Sequence, residues 1–542
     1  MDNRNIRAGR VIAEDGYSDQ PYIVRTDDGH WLLTVTTAGT YEGAAGQHVI
    51  SMRSADCGKS WSEPVPVAPE LPESSYSVLY KTDYGRIYCF YNFNADNLRG
   101  VIGDNPPFGD GICRRVDTQG HFVFRYSDDH GKSWSARWYD IPMRTFEVDR
   151  LNPYGGEIKY FWNVGKPLPL DGAVLVPIYK IRAFGVDFMR YSEGALLRCG
   201  NINTERDPEK LVWETLPDGD IGIRAPHALT IVSEEHSFVP LSDGSVFCVF
   251  RTTTGHPWCA YSRDGCHSFT VPEPLTFADG RPVKHPRAAN FIWKCENGKY
   301  LYWFHNRGGR SFDGRNPAWL SGAVEYMAED GIRLRFGEPQ PVLYDPDPAV
   351  RMSYPDMVEE DGEYYITETQ KEIARVHPID RALIESLWES PQEGEGWQHV
   401  TDDMPGELLQ LGGRSVSLRF TVLPGDAGAL LSTMEGGRGL SIRREADGSL
   451  LMLAGDGERM CAFVNDDPAL ADGRAHTVTA VFDGGACAVY FVTDGRFSDG
   501  GDRRAYGFTR FDPAFGCIAG AKTPAMRGIE ALRIRAGVHL YD

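Results

Sequence analysis

The sequence predicts an all-β protein: a β-propeller over residues 1–375, a helical connector and linker over 376–400, and a jelly-roll β-sandwich over 401–542. Three observations predict it. Short apolar-alternating runs closed by Asp-Gly and Asn-Gly turns fill both halves of the chain, long amphipathic helical windows are missing, and one eight-residue turn motif recurs.

The runs come first. Segments 21–35, 156–180, 238–250, 290–305 and 356–369 each read as strand, turn, strand, the signature of a β-meander. The recurring motif is Ser54-x-Asp56-x-Gly58-x-Ser60-Trp61, repeated as Ser127-x-Asp129-x-Gly131-x-Ser133-Trp134. A third copy, Ser262 to Phe269, keeps Ser, Asp and an aromatic but has Cys266 in place of the glycine. Such Asp boxes cap hairpins: the carboxylate accepts turn N–H groups, glycine supplies a positive φ and the Trp packs under the blade. They are structural, and their recurrence favours four-stranded blades arranged as a propeller. Near 380–389, Asp380 caps a helix whose apolar face is Leu383, Ile384, Leu387 and Trp388, and the polar stretch 391–397 then links to alternating strands of a different texture.

A chain of 542 residues exceeds what one hydrophobic core usually serves, so two domains are expected. The 56 basic against 76 acidic side chains give a formal charge of −20, which repels polyphosphates and excludes nucleic acid as the expected partner. No run of 18 apolar residues and no signal-like N-terminus occurs, which predicts a cytoplasmic protein with no membrane partner, although a secreted chain with its leader removed would read the same way. The 11 cysteines form no C-x-x-C pair and several lie in apolar strand patterns, so they read as reduced core residues, with no metal and no cofactor expected.

Residues 10–370 resemble the sialidase superfamily. Glu235 stands eight residues before the Asp243-Gly244 turn and Arg251 eight residues after that Asp; Arg315 opens the strand-like run Arg315-Asn-Pro-Ala-Trp; Ser353-Tyr354-Pro-Asp is followed by a turn and Glu368. The resemblance implies six blades, Tyr354 as nucleophile, Glu235 as its activating base, Arg251 and Arg315 as carboxylate-binding arginines, and Glu368 as a carboxylate that holds an arginine. A phenol suits a sugar whose own carboxylate at the reacting carbon would repel an Asp or Glu nucleophile.

Two departures stand out. The first carboxylate-binding arginine of the family is replaced by Asp19, with Gln20 beside it, and the loop 40–48 that supplies the family's acid/base Asp holds only Glu42 and His48 as replacements. Arg287, with His285 and His305, is a further candidate to line the cleft. Segment 472–496 resembles the laminin-G or concanavalin-like family, whose members often bind glycans, and it reads equally as a packing domain.

The expected function is an exo-acting glycoside hydrolase that removes a terminal acidic or modified sugar. Two alternatives stay open: a propeller glycosidase acting on a neutral or uronic sugar through the carboxylates Asp19 and Glu42, and a glycan-binding protein without turnover. Taken singly, Arg251 and Arg315 also read as surface strand residues and Tyr354 as a core aromatic.

Overall fold

The computed structural model describes residues 2–14, 16–389, 394–401, 404–520 and 524–541. Six antiparallel sheets follow one another as the blades of a propeller. Blade 1 consists of Tyr17–Arg25, Trp31–Ala38, His48–Ser54 and Val65–Pro66; blade 2 of Ser74–Lys81, Ile87–Phe93, His121–Ser127 and Tyr139–Asp140. Blade 3 is built on the long hairpin Ala173–Gly185 and Phe188–Cys199, flanked by Tyr160–Trp162 and Trp213–Leu216. Blade 4 contains Glu234–Pro240, Val246–Arg251, Trp258–Ser262 and Glu273–Pro274, and blade 5 contains Phe291–Lys294, Tyr300–Phe304, Ala318–Ala328 and Gly331–Phe336. Blade 6 takes Ser353–Glu360, Glu363–Thr369 and Ala374–Ile379 from one end of the propeller and its outermost strand, Arg10–Ala13, from the other, which closes the ring.

The strands alternate between two neighbours rather than between core and water. In Trp31–Ala38, Trp31, Leu33 and Val35 pack with Val358, Ala374 and Val376 of blade 6, while Leu32 packs with Leu79, Cys89 and Val123 of blade 2. Both faces are therefore apolar, and burying each Leu or Val side chain contributes roughly 1.5–3 kcal/mol.

The motif turns repeat one hydrogen-bond set. In the first, Gly58 N donates to Ser54 Oγ at 2.8 Å and Ser60 N to Asp56 Oδ1 at 2.9 Å; in the third, Cys266 N and Ser268 N make the equivalent bonds at 2.9 Å each. Each turn holds two successive residues at positive φ: Cys57 and Gly58, His130 and Gly131, Gly265 and Cys266. The third copy has moved its glycine by one position. At Gly131 a Cβ would come within 2.3 Å of Leu32, whereas the third turn accommodates the buried Cys266 side chain in the core between blades 3 and 4.

Helix Arg381–Ser386 is capped by Asp380, whose carboxylate accepts from Ala382 N at 2.9 Å, and it is shorter than the predicted window because Leu387 already ends it. It docks closely on blade 5: a Cβ at Gly322 would lie 2.4 Å from the Leu387 carbonyl oxygen, and Trp388 Nε1 donates to the Tyr300 carbonyl at 2.8 Å. Of the linker 391–397, residues 391–393 lie outside the described residues.

The C-terminal part forms two antiparallel sheets, one centred on Val416–Val422, His476–Asp483 and Ile529–Ala536, the other on Gly428–Ser432, Arg438–Arg444 and Leu450–Asp456. Their inner faces share one apolar core in a β-sandwich. The sandwich is fastened to blade 5: the fully buried Trp319 lies 5.3 Å from the rings of both Tyr490 and Phe497, and Arg4 of the N-terminus pairs with the buried Asp483 at 2.8 Å. All eleven cysteines are unpaired, and among the described residues no helix is long and apolar enough to cross a membrane.

Candidate active site

The innermost strands of four blades carry the same irregularity. In blade 1 Asp19 pairs with Thr36 but Tyr22 with Thr34; the equivalent one-residue excess falls between Ser75 and Val78 in blade 2, Glu234 and Ser237 in blade 4, and Ser353 and Asp356 in blade 6. At the same position of each bulge one non-glycine residue adopts left-handed backbone geometry: Gln20 (φ 54°), Tyr76 (φ 55°), Glu235 (φ 52°) and Tyr354 (φ 46°). Bulges re-aim side chains, and strained φ values at non-glycine residues cluster at functional sites. Three of these four residues are ones the sequence singled out.

Blades 4, 5 and 6 bring one group of side chains together. Tyr354 Oη donates to Glu235 Oε1 at 2.9 Å, and the other Glu235 oxygen pairs with Arg251 Nη1 at 2.7 Å. Arg251 also reaches Glu234 Oε2 at 2.9 Å, and Glu234 Oε1 in turn pairs with Arg287 Nη2 at 2.7 Å. Arg315 donates to Ser353 Oγ at 2.7 Å and to the Phe312 carbonyl at 2.9 Å. Among the described residues it has no carboxylate within salt-bridge distance.

Burial pushes Glu235 above the ordinary glutamate range against the opposing pull of Arg251 and Arg315. Burial, then the Glu235 charge, drives the Tyr354 phenol up, so it rests neutral. Burial also opposes the ionised form of Glu234, but Arg287 and Arg251 outweigh it and hold that carboxyl low. Arg315 is pulled down by burial, although a guanidinium remains charged.

A second group faces the first from blades 1, 2 and 6. Lys371 Nζ lies 2.7 Å from Asp19 Oδ2 and 3.0 Å from Glu42 Oε2, with its charge 4.3 Å from the centroid of the Tyr354 ring. Arg115 bridges Glu42, at 3.0 Å, and Asp117, at 2.5 Å, so acid and base alternate from Asp117 to Asp19. Tyr17 and Tyr76 donate hydroxyls to Asp19 and Asp117, and Tyr76 stacks on Trp162 with centroids 4.4 Å apart. Burial disfavours the Glu42 charge, but Lys371 and Arg115 overcome that and hold the carboxyl well below the usual range. Glu42 is thus an anion at rest and a weak base. Glu42, Arg115 and Lys371 are the more exposed members of the two groups, their side chains 27, 24 and 15% accessible, whereas Tyr354 is 5% exposed and Asp19 fully buried.

The chemistry available is specific. A phenol bonded to a buried carboxylate loses its proton to that carboxylate as its oxygen attacks a carbon, and uncompensated guanidinium charge beside it suits an anionic substrate group. Buried ion pairs add little net stability, so their concentration here points to function.

No family model matches the chain, and no curated protein matches it by sequence. Solved structures are similar to it at low identity. A protein of unknown function from Dyadobacter fermentans is 17% identical over 68% of this chain and 96% of its own, with a TM-score of 0.45. The intramolecular trans-sialidase from Ruminococcus gnavus is 12% identical over 72% of this chain and 99% of its own, with a TM-score of 0.48. A mutant Trypanosoma rangeli sialidase displaying trans-sialidase activity is 10% identical over 96% of this chain and 90% of its own, with a TM-score of 0.42. The fold described above rests on the sheet order of this chain itself.

Of the residues singled out in the sequence, Glu235, Tyr354, Arg251 and Arg315 converge, and Asp19 and Glu42 face them through Lys371. Gln20 Nε2 reaches the Asn163 carbonyl at 3.5 Å. His48 does not join them; its ring turns back to the Gly46 carbonyl at 2.9 Å.

Two expectations need correction. Glu368 does not hold an arginine: it accepts from Gln370 and, at 3.1 Å, from His377. Alternation along the strand sends Thr367 and Thr369 to carbonyls of blade 1 and leaves Glu368 on the opposite face, where His377 and Gln370 supply donors. Arg287 does not present itself to a ligand: it is fully buried, with every nitrogen of its guanidinium bonded to Glu234 or to the Asp187 and Met189 carbonyls.

Sequence reasoning missed Glu234, Lys371, Arg115, Asp117 and Tyr76. The Ser-Tyr dipeptide shared by 75–76 and 353–354 was a usable signal for Tyr76, and adjacency to Glu235 was one for Glu234. Nothing in the local sequence marks Lys371.

Proposed function

We propose that this protein is an exo-acting glycosidase that removes a terminal sugar bearing a carboxylate, and that it works by retention through a glycosyl adduct on Tyr354. The observation that carries the reading is the 2.9 Å hydrogen bond from the Tyr354 hydroxyl to Glu235, set among Arg251, Arg315 and Lys371. Glu235 takes the phenolic proton as Tyr354 Oη attacks the anomeric carbon, and returns it when water displaces the phenol. Arg315, which lacks a carboxylate partner among the described residues, and the two Arg251 N–H groups beyond the three that Glu234 and Glu235 engage hold the sugar carboxylate. Glu42 lies at the more open side of the group and in the loop expected to serve the leaving group; held ionised by Lys371 and Arg115, it orients the incoming water by a hydrogen bond, while the departing oxygen takes its proton from solvent and the attacking water gives its own to solvent. The reading is supported by the sialidase resemblance of the motifs around Glu235, Arg251, Arg315 and Tyr354.

Hydrolysis of a panel of aryl glycosides tests it, since activated leaving groups relieve the demand for a strong general acid. Turnover of acidic-sugar members that falls at least ~100-fold in Tyr354→Phe is expected, as the proton transfer that accompanies attack is alone worth about 10²–10⁴. Turnover only of neutral sugars, unaffected by Tyr354→Phe, rejects it.

A further inference from the structure

The reading of Tyr354 as nucleophile for an acidic sugar leaves one place unexplained, the aspartate at position 19 where the sialidase resemblance implies a cation. Resting on that reading, we infer that Lys371 is the third anion-binding residue of the site, and that Asp19 acts as the buried counter-ion that holds its ammonium in place.

The fold delivers Lys371 to Asp19 across 352 residues of sequence, because ring closure sets blade 6 beside blade 1. The hairpin that carries it is pinned at both backbone groups. Lys371 N donates to Thr369 Oγ1 at 2.8 Å, and the Lys371 carbonyl accepts from Ser18 N at 2.8 Å. Thr369 Oγ1 itself donates to the Ser18 carbonyl, so the turn is stitched to the very strand that bears Asp19. Lys371 holds φ at 81°, a conformation that L side chains rarely adopt and that persists where surrounding contacts over-determine it.

The geometry at the tip is that of a presented charge. The ammonium lies 2.7 Å from Asp19, 3.0 Å from Glu42 and 4.3 Å from the centre of the Tyr354 ring. An ammonium has three N–H donors, and the two carboxylates take two of them. The third is left for a ligand oxygen beside Tyr354. Asp19 is fully buried and cannot meet a substrate directly, whereas the Lys371 side chain is 15% accessible. The cation that an arginine would supply from blade 1 is thus supplied by blade 6, with the acid at position 19 turned from an obstacle into its anchor.

The test is calorimetric binding of a stable 2,3-unsaturated analogue of the acidic sugar and of its methyl ester, which needs no turnover. Lys371→Met is expected to weaken acid binding by at least ~10-fold, the worth of one hydrogen bond to a charged group, and to leave ester binding within ~3-fold. Lys371→Arg should restore most of the acid preference. Lys371→Gln keeps N–H donors for Asp19 and Glu42 while removing the charge, so it gives the same readout should the Met variant not fold. Equal losses for acid and ester, or none in either, overturn the assignment of Lys371 and leave the Tyr354 reading standing. Failure of the unaltered protein to prefer the acid overturns the reading of the site and this inference with it.

Discussion

Replacing Glu234 by Gln should destabilise the propeller far more than replacing Glu368 by Gln, although both side chains are fully buried glutamates at the inner ends of strands. Glu234 receives Arg251 Nε and Nη2, both at 2.9 Å, and Arg287 Nε at 3.2 Å and Nη2 at 2.7 Å. Removing its charge leaves Arg251 with Glu235 alone and Arg287 with only the Asp187 and Met189 carbonyls, and breaking a buried ion pair from one side costs about 3–5 kcal/mol. Gln at position 368 keeps an acceptor for Gln370 and His377, so the loss there is about 1 kcal/mol, one hydrogen bond. For a propeller of roughly 370 residues, an unfolding entropy of about 2.1 cal/mol/K per residue makes each kcal/mol worth roughly 1.3 °C, which separates the variants as shifts of roughly 4–6 °C and about 1 °C. Differential scanning calorimetry at neutral pH reads both. Equal shifts, or a larger one for Glu368→Gln, would refute the assignment of Glu234 as the carboxylate that holds the arginines.

Other outcomes follow from the same geometry. Glu235 must be ionised to accept the phenolic proton, and burial raises its pKa, so the acid limb of kcat/KM should have its midpoint above the ordinary glutamate value of about 4.3, activity growing as pH climbs through it; a limb at or below that value would show that another group sets it. Trp319→Ala removes the ring that lies against Tyr490, Phe497 and Phe508, and should cost about 3–5 kcal/mol and expose the blade 5 face of the sandwich to limited proteolysis; an unchanged melt and digestion pattern would mean that the aromatic cluster does not hold the two parts together.

Much of this was legible in the sequence because it is local. Hairpins are announced by their turn residues, and Glu235 and Arg251 stand at fixed offsets from the Asp243-Gly244 turn, so a meander with a known turn places them on adjacent strands with no knowledge of the ring. The groups that were missed depend on closure. Lys371 meets Asp19 only because blade 6 returns to blade 1, and Arg115 meets Glu42 only across the junction of blades 1 and 2; neither pairing has a local signature. Arg287 was misread for another reason. A residue type reports what a side chain could bind, but only its partners show that its donors are already engaged. The displaced glycine of the third turn shows the opposite case, in which geometry persists while the motif that signals it fades.

The central claim is that Tyr354 becomes covalently bonded to the sugar. The most direct measurement treats the protein with an acidic glycosyl fluoride carrying a second fluorine beside the anomeric carbon, which slows release of the adduct, and maps the label by peptide mass spectrometry. The account predicts one glycosyl group on the peptide containing Tyr354, absent in Tyr354→Phe and greatly slowed in Glu235→Gln. A label on Asp19 or Glu42 instead, or steady turnover of acidic glycosides by Tyr354→Phe, would contradict it.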